Sequence, residues 1–208
     1  MLRVLSRGGD RCKSTLRELI NSGRARFSEE IASDLLRCFS RDEIIHLLES
    51  DSPEQAEFGV RVIAISDWAD KKDLIEKRLS LALTNKEDRF LQVASSLLCE
   101  INPENAKQFM INSLATSGND ICDYTRGHFS KLLGEFGGSE SRLLLIGQLM
   151  ENRPDVSKAA YNSLVSMGWA PSSQAESALA ALYKPDHQAF ESLGCLLYTS
   201  DAADDETS

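Results

Sequence analysis

One run in the sequence could cradle a phosphate, Gly8-Gly9-Asp10-Arg11-Cys12-Lys13-Ser14-Thr15. Phosphate loops work because glycines let consecutive backbone N–H groups wrap the anion after a strand. Arg7 stands where the first glycine belongs and Cys12 where the glycine before lysine belongs, and Met1 to Leu5 is barely long enough for a strand. A flexible lead into a helix is the better expectation. Metal binding needs ligands brought together, which on one helix means spacings of three or four residues. His46, His128 and His187 lie 82 and 59 residues apart, and none has a second histidine or a cysteine at such a spacing. His46 sits in the apolar run Ile44 to Leu48 and His128 beside Phe129, so both are expected to be partly buried or helix-surface histidines rather than ligands or catalytic bases.

Nucleophilic catalysis is not expected either. No Gly-x-Ser-x-Gly elbow occurs, and neither Cys99 nor Cys122 comes with a readable histidine partner. The acidic pairs Glu29-Glu30, Asp42-Glu43 and Glu87-Asp88 fall at predicted helix starts, where carboxylates complement the helix dipole. The expectation is therefore a protein without catalytic residues, cofactor or metal. Cys12, Cys38, Cys99 and Cys122 form no Cys-x-x-Cys pair, and no secretory signal precedes them, so they read as free thiols filling core space in a reducing cytoplasm.

The elements that would position any site come from a chain of 208 residues, 42% hydrophobic, 26% charged and 7% aromatic. Those figures suit one soluble domain or a short repeat array. Crossing a bilayer takes about 18 consecutive apolar residues, and runs such as Leu143 to Ile146 are far shorter. From Cys195 to Glu206 the sequence resembles the translation of a sequencing-library adapter. That resemblance implies an environmental, bacterial assembly whose native part is cut near Gly194, so residues 195–208 are set apart as a non-native tail. Without Asp201, Asp204, Asp205 and Glu206 the net charge of −9 becomes −5; residues 1–27 carry +5 and residues 28–194 carry −10. An acidic body argues against general nucleic-acid binding, which draws its affinity from neutralised phosphates. The basic start reads as a local contact arm.

Apolar residues recur three and four apart nearly throughout, which predicts an all-α protein. Ser40 with Glu43, Ser52-Pro53-Glu54-Gln55, Asn102-Pro103-Glu104 and Ser173 with Glu176 mark helix starts; Gly23, Gly118, Gly137 with Gly138, and Gly168 mark ends. Helices are predicted at 12–22, 29–39 and 41–50, then in pairs at 53–67 and 70–84, 87–101 and 103–117, 120–136 and 139–151, 154–167 and 173–184. First helices open near 52, 87, 119 and 153, steps of 35, 32 and 34; their partners open near 70, 102, 139 and 172, steps of 32, 37 and 33. A fixed period of this size marks a helical repeat. Val60, Ile63 and Ala64; Ala94, Leu97, Leu98 and Ile101; Phe129, Leu132, Leu133 and Phe136; and Ala160, Leu164 and Met167 each form one stripe that a lone helix pair cannot cover. Small Ala64, Ala94 and Ala160 would let neighbouring helices approach closely.

Over residues 52–186 the chain resembles the HEAT-repeat family and, more broadly, bacterial HEAT-like α-solenoids. Val60-Arg61 is similar to the valine-arginine step of the family's first helix, and the three alanines are similar to its alanine; Asp70 only approximates its turn aspartate. The resemblance implies a right-handed α-solenoid of antiparallel helix pairs, an armadillo-type superhelix, with residues 1–51 capping repeats that fill 52–194. It also implies a non-enzymatic scaffold that binds a protein partner on a concave face lined by second helices. Lys77, Ser80, Lys107, Gln108, Arg142 and Gln148 would then face solvent as the binding residues. A HEAT-like DNA-repair glycosylase is the alternative, needing a basic groove with Trp68 or Trp169 at its centre; a HEAT-like bilin lyase has only the fold in common. As structural residues, Trp68 and Trp169 would instead cap the core at inter-helix corners. At the far end, Leu179, Leu182 and Phe190 would be poorly covered.

Overall fold

The computed structural model describes residues 10–22, 28–116, 121–151 and 153–183. Among them are eleven α-helices and no strand: α1 (Asp10–Asn21), α2 (Glu29–Cys38), α3 (Arg41–Leu48), α4 (Pro53–Ile65), α5 (Lys71–Asn85), α6 (Asp88–Ile101), α7 (Pro103–Thr116), α8 (Asp123–Phe136), α9 (Ser139–Leu149), α10 (Pro154–Ser166) and α11 (Gln174–Tyr183). The all-α expectation holds.

Local chemistry sets the boundaries. At α3, Ser40 Oγ accepts the Glu43 N–H at 3.3 Å while the Glu43 carboxylate accepts the Ser40 N–H at 2.7 Å, so two orphan donors are satisfied reciprocally. Ser52 accepts the Gln55 N–H at 3.4 Å and Pro53 opens α4, while the Gln55 side-chain carbonyl accepts the Ser50 hydroxyl at 2.6 Å, and that hydroxyl in turn accepts the Ser52 N–H. Ser173 caps α11 while the Glu176 carboxylate takes the Ser172 N–H, one residue earlier than predicted. Gly168 takes the left-handed conformation that ends α10, with the Trp169 N–H returning to the Leu164 carbonyl at 2.9 Å. α5 ends the same way on Lys86, at φ 59, with the Glu87 N–H returning to the Ala82 carbonyl at 2.9 Å. Gly23 and Gly118 lie outside the described residues.

Helices α4, α6, α8 and α10, the first helices of the predicted pairs, open at Pro53, Asp88, Asp123 and Pro154, steps of 35, 35 and 31; α5, α7, α9 and α11, the second helices, open at Lys71, Pro103, Ser139 and Gln174, steps of 32, 36 and 35. Counted from each opening residue, the first helices share one buried register. The fourth residue is Ala56, Leu91, Arg126 or Ser157; the seventh is Gly59, Ala94, Phe129 or Ala160; the eighth is Val60, Ser95, Ser130 or Tyr161; the eleventh is Ile63, Leu98, Leu133 or Leu164. All sixteen are buried. Spacings of three, four and seven trace one helix face, so the period seen in the sequence is also a period of burial.

The chain divides into two compact units, one ending at Thr125 and the other starting at Arg126. In the first, α4 packs against α1, α2, α3, α5 and α6, and α6 packs against α5 and α7. Gly59 makes the α3–α4 approach possible: a Cβ there would stand 2.4 Å from the Leu48 backbone nitrogen. In the second, α10 packs against α9 and α11 around Leu145, Leu149, Ala160, Leu164 and Ala180. Here too a glycine sets the distance, since a Cβ on Gly134 of α8 would stand 2.6 Å from Ser163 Cβ. Ala64, expected to allow close packing, is only half-buried. Leu182 is left exposed and Leu179 is half-buried; Phe190 falls outside the described residues.

Adding one methyl group should therefore have opposite effects at two glycines. Gly59→Ala forces backbone apart and is expected to cost about 2–3 kcal/mol. Gly147→Ala, on α9 with nothing within 4 Å of its Cβ position, is expected to gain about 0.5–1 kcal/mol from helix propensity. Urea unfolding of both variants measures the pair of signs.

Candidate functional site

Five of the six predicted binding residues reach solvent, wholly or in part, and one does not. Lys77 and Ser80 on α5, Gln108 on α7 and Arg142 on α9 are exposed, and Lys107 is half-buried. Gln148 is 2% exposed and corrects the sequence reading. Its side-chain amide lies against the Ser130 hydroxyl of α8, and its backbone carbonyl accepts the Ser157 hydroxyl at 3.2 Å, so it belongs to a buried polar layer rather than to a binding face. That layer also holds Arg126, which is 2% exposed and bonded to Glu151 at 2.6 Å.

Lys77 and Ser80 are brought together in a groove of 390 Å³ between the end of α3 and the solvent side of α5. Leu48, Leu74 and Leu81 supply its apolar surface, and Leu81 is 51% exposed. Thr84 and Ser80 line it as well, but each hydroxyl donates to its own helix, Ser80 to the Glu76 carbonyl at 3.0 Å and Thr84 to the Ser80 carbonyl at 3.1 Å. Lys77 meets Glu49 at 3.8 Å across the rim, both side chains more than half exposed. Such a pair contributes little in water. On α7, Asn105 donates to Glu76 at 2.8 Å, which ties the start of that helix to α5.

Arg78 forms one side of the groove and is 5% exposed. Its Nε donates to the Leu48 carbonyl at 2.9 Å, closing the open end of α3, and its Nη2 bonds to Glu87 at 2.5 Å. The guanidinium also lies over the Phe90 ring, 4.5 Å from the centroid. No described residue accepts from Nη1. One side chain thus joins α3, α5 and α6, and sequence reading missed it because its charge suggested a surface position. The signal was there: Arg78 falls in the stripe Ile75, Leu79 and Ala82.

A second hollow, of 230 Å³, is lined by Arg17, Phe39, Glu43, His46 and Gln55. Glu43 is its hub: besides capping α3 it takes Lys13 at 3.2 Å and Arg17 at 2.6 Å from α1, and both cations lie over the Phe39 ring. The Ser40 backbone N–H, assisted by Lys13, holds the Glu43 carboxyl below its ordinary value despite the opposing effect of burial. A carboxylate with three donors is a structural tie. His46 is exposed, His128 is half-buried with its ring 6.4 Å from Phe129, and His187 lies outside the described residues.

Trp68 lies under the Arg41 guanidinium, which is 5.1 Å from its ring and paired with Asp70; Trp169 packs against the Leu145–Leu164 cluster. Both are half-buried at helix corners. Cys38 and Cys99 are half-buried and outside any disulfide, whereas Cys122 is exposed and corrects the core-filler expectation: its Sγ accepts the Thr125 N–H at 3.5 Å, the place of a cap on α8. Among the described residues no three His, Cys, Asp or Glu side chains are grouped to hold a metal, and no helix is long and apolar enough to cross a membrane. Compared with known proteins, the chain matches no family model, no curated protein and no solved structure.

The buried pair beside the groove makes a testable asymmetry. Glu87→Gln strands the Arg78 charge and should cost about 2 kcal/mol, whereas Arg78→Met with Glu87→Gln removes both charges and should recover at least about 1 kcal/mol of that loss. Thermal and urea unfolding of the two variants decide it; a double variant weaker than the single one would show that the pair's charges are not the reason for the cost.

Proposed function

We propose that this chain is a HEAT-like right-handed α-solenoid of antiparallel helix pairs, without catalytic activity, whose second-helix face binds a protein partner. The observation that carries the reading is the shared register of the four first helices, in which the fourth, seventh, eighth and eleventh residues are buried every time. A face repeated at a period of about 35 residues is what stacked helix pairs require, and stacking leaves an extended surface made by the other helix of each pair. Polar and apolar groups for such binding are exposed on second helices of each unit: Lys77, Ser80, Leu81 and Gln108, with half-buried Lys107, in the first, and Arg142 and Leu143 in the second. A DNA-repair role would call for Trp68 or Trp169 as a free aromatic wedge; the first is engaged by Arg41 and the second by apolar packing. The acidic balance of residues 28–194 also favours protein over phosphate backbone.

Affinity capture with the full chain from its native host tests the proposal. A protein should co-purify with the unaltered chain and be lost or reduced at least about fivefold with Lys77→Glu and Lys107→Glu combined, since charge reversal at a binding face costs about 1 kcal/mol or more. Retention of nucleic acid in place of protein, or no partner at all, would count against the scaffold reading.

A further inference from the structure

Helix α1 is docked differently from the helices that carry the shared register. Lys13, Leu16, Arg17 and Ile20 lie at i, i+3, i+4 and i+7 and so share one face. Leu16 and Ile20 are buried, and beside them Lys13 and Arg17 reach across to α3. The corresponding face of α4, Ala56, Gly59, Val60 and Ile63, is apolar and buried throughout. Charged contacts are therefore a large part of what holds α1, and both ion pairs it makes among the described residues end on one carboxylate.

That carboxylate belongs to Glu43, which takes Lys13 at 3.2 Å and Arg17 at 2.6 Å. Beneath the two cations lies the Phe39 ring, 5.7 and 5.4 Å from them, and with α1 in place Phe39 is buried. All three charged side chains are partly exposed, so salt reaches these pairs and screens them as it would not screen a buried pair. Arg17 is also the α1 wall of the 230 Å³ hollow that Phe39, Glu43, His46 and Gln55 line from the other helices. Residues 22–28 separate α1 from α2, enough chain to span about 24 Å when extended, so α1 can leave without drawing α2 out of the core. A helix of 12 residues is marginal alone in water, which joins its undocking to its unwinding.

We propose that α1 is a lid over the Phe39–His46 hollow, latched by Glu43, which opens locally and reversibly, and more often as salt rises, while the helices of the shared register stay folded. Opening turns Leu16, Ile20 and the Phe39 ring toward solvent, so this apolar patch is offered only in the open state. The lid does not depend on the protein-binding reading above.

Glu43→Gln separates the latch from the start of α3, because glutamine at the third position of a capping box also accepts the Ser40 N–H while offering no charge to Lys13 and Arg17. Native-state hydrogen exchange of the full chain, read for α1, α3 and α4 in about 0.05 M and about 0.5 M NaCl, follows the opening. In the unaltered chain α1 amides should exchange at least about tenfold faster than those of α4 and respond less to added urea, because a local opening exposes less surface. High salt and Glu43→Gln should each speed α1 exchange about three- to tenfold and leave α3 and α4 unchanged; in the variant, salt should add less than about twofold. Arg17→Gln, which leaves α3 untouched, should move α1 in the same direction. Exchange of α1 only together with α4, at the same urea dependence, overturns the lid, and so does an α1 without protection in low salt. Acceleration of α3 as much as α1 in Glu43→Gln, or an α1 rate indifferent to salt, overturns the latch.

Discussion

Burial of one face on every first helix is the constraint from which the rest of this structure follows. An isolated helix of 13 or 14 residues is marginal in water, so α4, α6, α8 and α10 persist because neighbours cover their fourth, seventh, eighth and eleventh positions. α4 illustrates the extent of the cover, touching α1, α2, α3, α5 and α6. Contact that close needs small groups at crossings, and Gly59 and Gly134 provide it where a methyl group would meet Leu48 backbone or the Ser163 side chain. Lys77 and Leu81, the latter 51% exposed, lie on the side of α5 that such cover leaves to solvent.

Buried arginines extend the same logic to polar groups. Arg78 and Arg126 each sit within an apolar face and are each neutralised by a glutamate from outside their own helix, Glu87 before α6 and Glu151 before α10. Their long stems fill core volume while the guanidinium secures a turn, so losing one partner exposes the full desolvation cost of the other. Arg78 is held by Leu48 and Glu87 on two of its nitrogens, which fixes its guanidinium beside the groove.

Helix content and period were legible in the sequence because they depend on local chemistry. Ser40, Ser52 and Gly168 carry their cap geometry with them, and observed starts fall within a few residues of the predicted ones. Close crossings were not legible. Ala64, Ala94 and Ala160 were expected to play equivalent parts, yet Gly59, rather than Ala64, occupies the position that matches Ala94 and Ala160. A glycine inside a helix reads as a weak point in propensity, and only tertiary approach shows why it is there. α5 ends at Asn85, one residue past its predicted end, although Lys86 takes the left-handed conformation with no glycine to mark it. Gln148 was misplaced and Arg78 passed over for a common reason: polarity predicts exposure well on average and fails where a buried hydroxyl, carbonyl or carboxylate waits for the side chain.

Alanine at the eleventh position of each first helix tests the shared register most directly. Ile63→Ala, Leu98→Ala, Leu133→Ala and Leu164→Ala remove side chains that are all 0% exposed, and each variant is predicted to lose about 2–4 kcal/mol of unfolding free energy in urea. Losses below about 1 kcal/mol at two or more of these positions would contradict a common buried face, and the repeat drawn from it would fall.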